Sequence, residues 1–193
     1  MTELLLVRHG ESTWNAAGRM QGQTASPALT DRGRRQAVEA GAQLLARGAE
    51  RLLTSDLVRA RQTAAIIGTT LRLEPEVNPL LRERHYGTWQ GRDSAEAIRA
   101  TRSLPEHERV PGGESLLDVR QRWATLLAAL RGIRGPVVVV THGDLVVEAA
   151  GGPLPENGSV TRLMLNQWSG PLTPADWSSP FPGVSVSGAR QRR

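Results

Sequence analysis

The chain has 193 residues, 39% of them apolar, a formal charge of +5, 24 basic side chains that are all arginine, and no cysteine. That length suits one domain with a substantial core. The absent residue types exclude disulfides, thiolate nucleophiles and thiolate metal sites, and equally Schiff-base chemistry, a P-loop lysine and a lysine general base.

An apolar run from Leu4 to Val7 reads as a buried strand that releases Arg8, His9, Gly10, Glu11 and Ser12 at its end. Thr13 to Ser26 is turn-rich. Thr30 is placed to cap a helix running to about Arg47, with Ala37, Val38, Gly41, Leu44 and Leu45 on one face and Gly48 closing it. Leu52 and Leu53 form a short strand. Ser55 or Asp56 then caps a helix carrying Arg59, Ala60, Thr63, Ala64 and Ile67.

Val77 to Glu83 reads as extended after Pro75, and the polar, weakly periodic stretch from Arg84 to Val110 is expected to cover the site. The turn Pro111 to Ser115 precedes an amphipathic helix with Leu116, Val119, Trp123, Leu126, Leu127 and Leu130 at helical spacing. A second apolar run, Val137 to Val140, releases Thr141, His142 and Gly143; a short helix and a last strand, Ser159 to Leu165, follow. Strands alternating with helices imply an α/β fold: a mostly parallel central sheet covered on both faces, in three layers. The domain is expected over residues 1–167, with a disordered Ser/Pro/Gly-rich tail over 168–193.

Two strands that each end in a histidine followed by glycine point to a site at the carboxyl edge of such a sheet. Two imidazoles with an arginine beside one of them suit phosphate chemistry. His9 is the candidate nucleophile, because neutral imidazole attacks phosphorus without first losing a proton. Arg8, Arg59 and His142 are candidate donors to the phosphoryl oxygens. A general acid is also required, and Glu11, Glu83 and Glu114 compete for that role. Arg61 reads as a surface neighbour of Arg59, His107 as a loop residue and His85 as a rim residue. Trp14, Met20, Tyr86 and Trp89 are candidates for the substrate-facing wall.

The segments Arg8 to Asn15 (RHGESTWN), Leu29 to Ala37, Thr54 to Ala64, Leu80 to Gly91, Pro111 to Ser115 and Val137 to Gly143 resemble, in order, those of the histidine phosphatase superfamily, which includes the cofactor-dependent phosphoglycerate mutases. The resemblance covers Leu4 to Leu165. It implies a phosphoglycerate mutase-like fold and selects Glu83 as the acid. A substrate site including Ser12, Asn15, Gln21, Tyr86 and Gly143 is expected with it. The resemblance leaves phosphatase and mutase open; the short cover from Arg84 to Val110 should admit water to a phosphohistidine and favours the phosphatase, and arginines supply the positive charge, so neither a metal nor a cofactor is called for. A mutase is the alternative, but no lysine is present and Arg99 and Arg102 are not adjacent, as the mutases' carboxylate site would ask. A binding module without catalysis is the alternative from another class; it would need neither nucleophile nor acid.

A small phosphomonoester is thus the expected partner. Scattered arginines with few interleaved aromatics argue against nucleic acid, and no apolar run is long enough for a membrane span. A cytoplasmic location is the default expectation. The oligomeric state stays open, a homodimer included, and the short segment from Asp144 to Glu156 would open one side of the pocket or shift dimer contacts relative to the family.

Overall fold

The computed structural model describes residues 2–130, 133–165 and 184–186. A six-stranded sheet runs in the order β3-β2-β4-β1-β5-β6. Its strands are β1 (Thr2–Arg8), β2 (Arg51–Thr54), β3 (Pro75–Val77), β4 (Gly135–Thr141), β5 (Val160–Leu165) and β6 (Val184–Val186). The first four in that order are mutually parallel, whereas β5 runs antiparallel to β1 and β6 antiparallel to β5. Val184–Val186 falls within the segment expected to be a disordered tail; the rest of that tail lies outside the described residues.

The continuous apolar runs of β1 and β4 follow from burial on both faces. Side chains alternate across a strand, so Leu4, Leu6, Val137 and Val139 join one core with Val119, Trp123, Leu126 and Leu145. Leu5, Val7, Val138 and Val140 join a second core with Ala40, Leu44, Ala60, Ala64 and Ile67. The first core is covered by α5 (Leu116–Ala129) and α6 (Gly143–Ala150), the second by α2 (Asp31–Leu45) and α3 (Val58–Leu71). Three layers result.

Local chemistry sets the helix starts. Thr30 caps α2 by accepting from Gly33 N, and Ser115 with Asp118 forms a capping box at α5. The expected cap of α3 is corrected: its N-cap is Leu57, without a side-chain cap bond. Ser55 Oγ instead accepts from Leu57 N at 3.3 Å, while Asp56 pairs with Arg82. The stretch read as extended to Glu83 is likewise corrected. Only Pro75–Val77 is strand, because Pro79 and the Asn78 side chain, which accepts from Leu80 N, start a 3₁₀ turn over Pro79–Leu81.

Within the polar stretch before Val110, α4 (Ser94–Arg102) forms behind its Asp93 cap and buries only Ala97 and Thr101. That narrow buried face explains the weak apolar periodicity. Short helix α1 (Thr13–Ala16) follows Ser12. No helix among the described residues is long and apolar enough to cross a membrane.

Candidate active site

The register of β1 on β4 pairs Arg8 with Thr141, so His9 and His142 leave the sheet side by side. His9 N donates to Thr141 O at 3.0 Å, and the two imidazole centroids stand 5.1 Å apart at an interplanar angle of 62°. Gly10 is required by a close approach: a Cβ there would come within 2.2 Å of Gly33 O at the start of α2. Thr63 Oγ1 of α3 accepts from Gly10 N at 3.1 Å, and Asn157 Nδ2 donates to His9 O at 3.0 Å. The backbone around His9 is therefore held from two sides.

His9 is almost wholly buried. Its Nδ1 lies 2.7 Å from Gly10 O. A carbonyl only accepts, so Nδ1 carries the proton and Nε2 keeps its lone pair. Arg59 Nε donates to that Nε2 at 3.3 Å. Burial, then the Arg59 charge, hold the His9 imidazole well below its ordinary range, so it is neutral at pH 7.

Arg59 is fully buried at the start of α3, where Nη1 donates to Thr24 O at 3.0 Å and Nη2 to Gly22 O at 2.7 Å. Burial lowers its pKa to about 10, which leaves it charged. Arg8 Nη1 donates to Pro155 O at 2.5 Å, while its buried Nε lacks a hydrogen-bond partner. His142 is buried with neither ring nitrogen partnered, and burial followed by Arg59 depresses its pKa as well. A neutral imidazole has one N–H in either tautomer, so His142 retains one donor to offer.

Glu83 follows the 3₁₀ turn. Its Oε1 accepts from Arg84 N at 3.0 Å and its Oε2 lies 3.5 Å from Asp144 N. Burial, then the Asp144 carboxylate, push its pKa up to about 8, despite the opposing Arg84 N–H. Asp144 is itself raised by burial and accepts from Tyr86 Oη at 2.7 Å.

Arg8, His9, Asn15, Gln21, Arg59, Glu83 and Tyr86 line one cavity of about 160 Å³, together with Trp14, Arg19, Met20, Gly22, Ser94, Ile98, Asp144 and Leu154. Ser12, His142 and Gly143, also expected at the site, do not line it. Ser12 is buried and used internally: it caps α1, and its Oγ donates to Gln21 Oε1 at 2.7 Å. Gly143 begins α6 and lets the chain pass, since a Cβ there would meet Leu154 Cδ1 at 2.5 Å.

The rival carboxylates are placed elsewhere. Glu11 binds Thr30 and Arg32 beside α2, and Glu114 binds Arg122, Gln23 and the His85 backbone. Trp89 packs against the cluster of Met20, Tyr86 and Ala97 without lining the cavity. His85 does not line it either, His107 is exposed, and so is Arg61.

Sequence reasoning missed Asp144, although its place directly after His142 and Gly143 put it in the first turn of α6. Gln23, Arg122 and Asn157 carried no such signal, because only the fold brings them behind Glu83 and His9. Among the described residues, no group of three or more His, Asp or Glu side chains is arranged to hold a metal ion. The arrangement places a neutral imidazole, fixed positive charge and a carboxyl of raised pKa within one small cavity.

Residues 4–150 match the family described as the histidine phosphatase superfamily (branch 1). The chain is 37% identical over 152 residues to a probable phosphoglycerate mutase GpmB of Erwinia tasmaniensis, spanning 74% of this chain and 70% of that protein. It is 40% identical over 164 residues to a metal-independent phosphoserine phosphatase of Arabidopsis thaliana, spanning 76% of this chain and 66% of that protein. A solved structure of a mycobacterial glucosyl-3-phosphoglycerate phosphatase in complex with VO3 aligns with a TM-score of 0.72 at 33% identity, covering 84% of this chain and 92% of that one.

Proposed function

The chain belongs to the histidine phosphatase superfamily, and from that premise we propose that it hydrolyses small phosphomonoesters through a phosphohistidine on His9. One observation carries the reading: His9 Nδ1–H is pinned to the Gly10 carbonyl, so the lone pair is on Nε2, beside Arg59 and in one cavity with Glu83.

In the first step Nε2 attacks phosphorus and the ester P–O bond breaks. Arg8 and Arg59 stabilise the charge on the equatorial oxygens, the His142 N–H beside the His9 ring adds to that field from behind the cavity wall, and Arg59 exchanges its bond to Nε2 for one to the phosphoryl group. Glu83, protonated below about pH 8, gives its proton to the leaving alkoxide. In the second step the Glu83 carboxylate takes a proton from water as that water attacks phosphorus. The P–N bond breaks, inorganic phosphate leaves, and both residues return to their starting forms.

Arginine and imidazole N–H groups supply the positive field, so no step calls for a metal. A mutase must shelter its phosphohistidine from water. Here Arg19, Ile98 and Leu154 stand exposed where they line the cavity, and that access favours hydrolysis.

The test is phosphate release from p-nitrophenyl phosphate in the presence of a chelator. Release by the wild type and its loss in His9→Ala support the reading. Isomerisation of phosphoglycerate without release would support the mutase, and binding without turnover by folded protein would support a phospho-ligand module.

A further inference from the structure

Two peptide planes follow the His9 side chain, and each is held at both of its polar ends. In the first, the His9 carbonyl accepts from Asn157 Nδ2 at 3.0 Å while Gly10 N donates to Thr63 Oγ1 at 3.1 Å. In the second, the Gly10 carbonyl takes the His9 Nδ1 proton at 2.7 Å while Glu11 N donates to Gln36 Oε1 at 2.8 Å. The pivot between the planes is Gly10, whose own conformational preferences are weak. The carbonyl that orients the His9 ring therefore takes its direction from these clamps.

Thr63 belongs to α3 and Gln36 to α2, whereas Asn157 lies in the segment leading into β5. Asn157 also differs in what else it reaches. Its Nδ2 stands 3.4 Å from Asn15 Oδ1, which accepts from Ser12 N at 3.0 Å. A backbone N–H only donates, so Ser12 N settles which end of the Asn15 amide is oxygen, and the Asn15 Nδ2 group stays free for the cavity that this residue lines.

The segment carrying Asn157 is itself fastened to the end of β1. Gly158 N donates to Arg8 O at 2.9 Å, Arg8 N to Ser159 O at 3.2 Å, and Arg8 Nη1 to Pro155 O at 2.5 Å. Asn157 does not line the catalytic cavity; with Gln36 it lines a separate groove on the outside. It is a bracket behind the nucleophile.

We propose that Asn157 is a positioning residue for phosphoryl transfer, aligning the His9 imidazole through the His9–Gly10 peptide and the Asn15 amide through its Oδ1. This rests on the hydrolase reading above. An imidazole turned away from the line of attack loses far more rate than one hydrogen bond is worth in stability. The fold asks less of Asn157, because Gly158 N remains at 3.3 Å as a second donor to the His9 carbonyl.

The test uses Asn157→Leu, of similar volume but without a donor, and Asn157→Ala as a second variant. Values of kcat/KM for p-nitrophenyl phosphate and butyl phosphate are expected to fall by the same factor, about 10- to 10²-fold. Attack is impaired in both reactions, whereas proton delivery by Glu83 is not. In histidine-labelled protein, the NMR resonance of the His9 Nδ1 proton should move upfield and exchange faster with water in both variants, as its bond to the Gly10 carbonyl weakens.

Unchanged kcat/KM in both variants, or a loss confined to butyl phosphate, would overturn the proposal. So would an unmoved Nδ1 proton in variants that have lost turnover, since the loss would then not pass through His9. Failure of the wild type to release phosphate from either ester would overturn the hydrolase reading instead, and the Nδ1 resonance would still decide whether Asn157 orients the ring.

Discussion

Arg59 Nε and His9 Nε2 lie 3.3 Å apart, so the nitrogen proposed to attack phosphorus already carries an arginine hydrogen bond. The bond fixes the ring's tautomer together with the Gly10 carbonyl, and the same charge adds to burial in keeping the imidazole neutral. Arg59→Gln removes both effects. Its kcat is expected to fall about 10²- to 10³-fold, as for loss of a transition-state donor. The His9 pKa should move upward in the variant, which a ring-nitrogen NMR titration reads directly.

The pH profile follows from Glu83. Its carboxyl is protonated below about pH 8, so kcat/KM for alkyl esters should hold at neutral pH and decline above about 8. His9 titrates well below its usual range and imposes no loss near neutrality. Glu83→Gln should abolish the alkaline limb and lower alkyl ester turnover about 10²- to 10⁴-fold, with a smaller loss for p-nitrophenyl phosphate, whose phenolate leaves without a proton.

The same group links stability to pH. Its folded pKa lies above the unfolded value, so the folded state binds more protons between the two and stability falls as pH rises through that window. Glu83→Gln is therefore expected to gain melting temperature relative to wild type as pH increases from about 4.5 to about 8, the window bounded by those two pKa values. A difference between the two melting curves that stays constant with pH would contradict this.

Behind Glu83 stands a clamp. Arg122 donates to the carbonyls of Leu80, Arg82 and Glu83 at 2.8, 3.1 and 3.3 Å and pairs with Glu114, which also accepts from Gln23 and His85 N. Arg122→Met leaves Glu114 without its cation and those carbonyls without their donor. A destabilisation of about 3 kcal/mol is expected by denaturant titration. The residual activity should decline more for alkyl esters than for p-nitrophenyl phosphate, since the acid is displaced while the nucleophile is not.

Gly10 and Gly33 meet backbone to backbone. A Cβ on Gly10 would approach Gly33 O at 2.2 Å, and one on Gly33 would approach Glu11 O at 2.0 Å. Neither neighbour is a flexible side chain that can swing aside. Gly10→Ala and Gly33→Ala are each expected to lower stability by about 3 kcal/mol or more, measured by thermal unfolding.

Much of the scaffold was legible in the sequence. The runs ending at Arg8 and Thr141 identified the two central strands, and their shared parallel direction was enough to bring His9 to His142. Arg59 was expected about one turn into its helix; with Leu57 as the N-cap it is instead the second residue of α3. The choice of Glu83 over Glu11 and Glu114 came from family resemblance; local sequence could not make it, because all three sit in loops and only tertiary placement separates them. Asp144, Arg122 and Asn157 act through contacts across long sequence separations, which periodicity and capping do not encode. The α4 helix escaped notice because it buries so little.

The placement of β1 governs when the protein can assemble. The first strand lies between β4 and β5, and both partners follow it far along the chain, at Gly135–Thr141 and Val160–Leu165. Leu4 to Val7 therefore leave the ribosome as an apolar ribbon with both edges open, and such long-range pairing is slow and exposed to aggregation. Both edges of that ribbon stay without their native partners until the strands of the second half have been made.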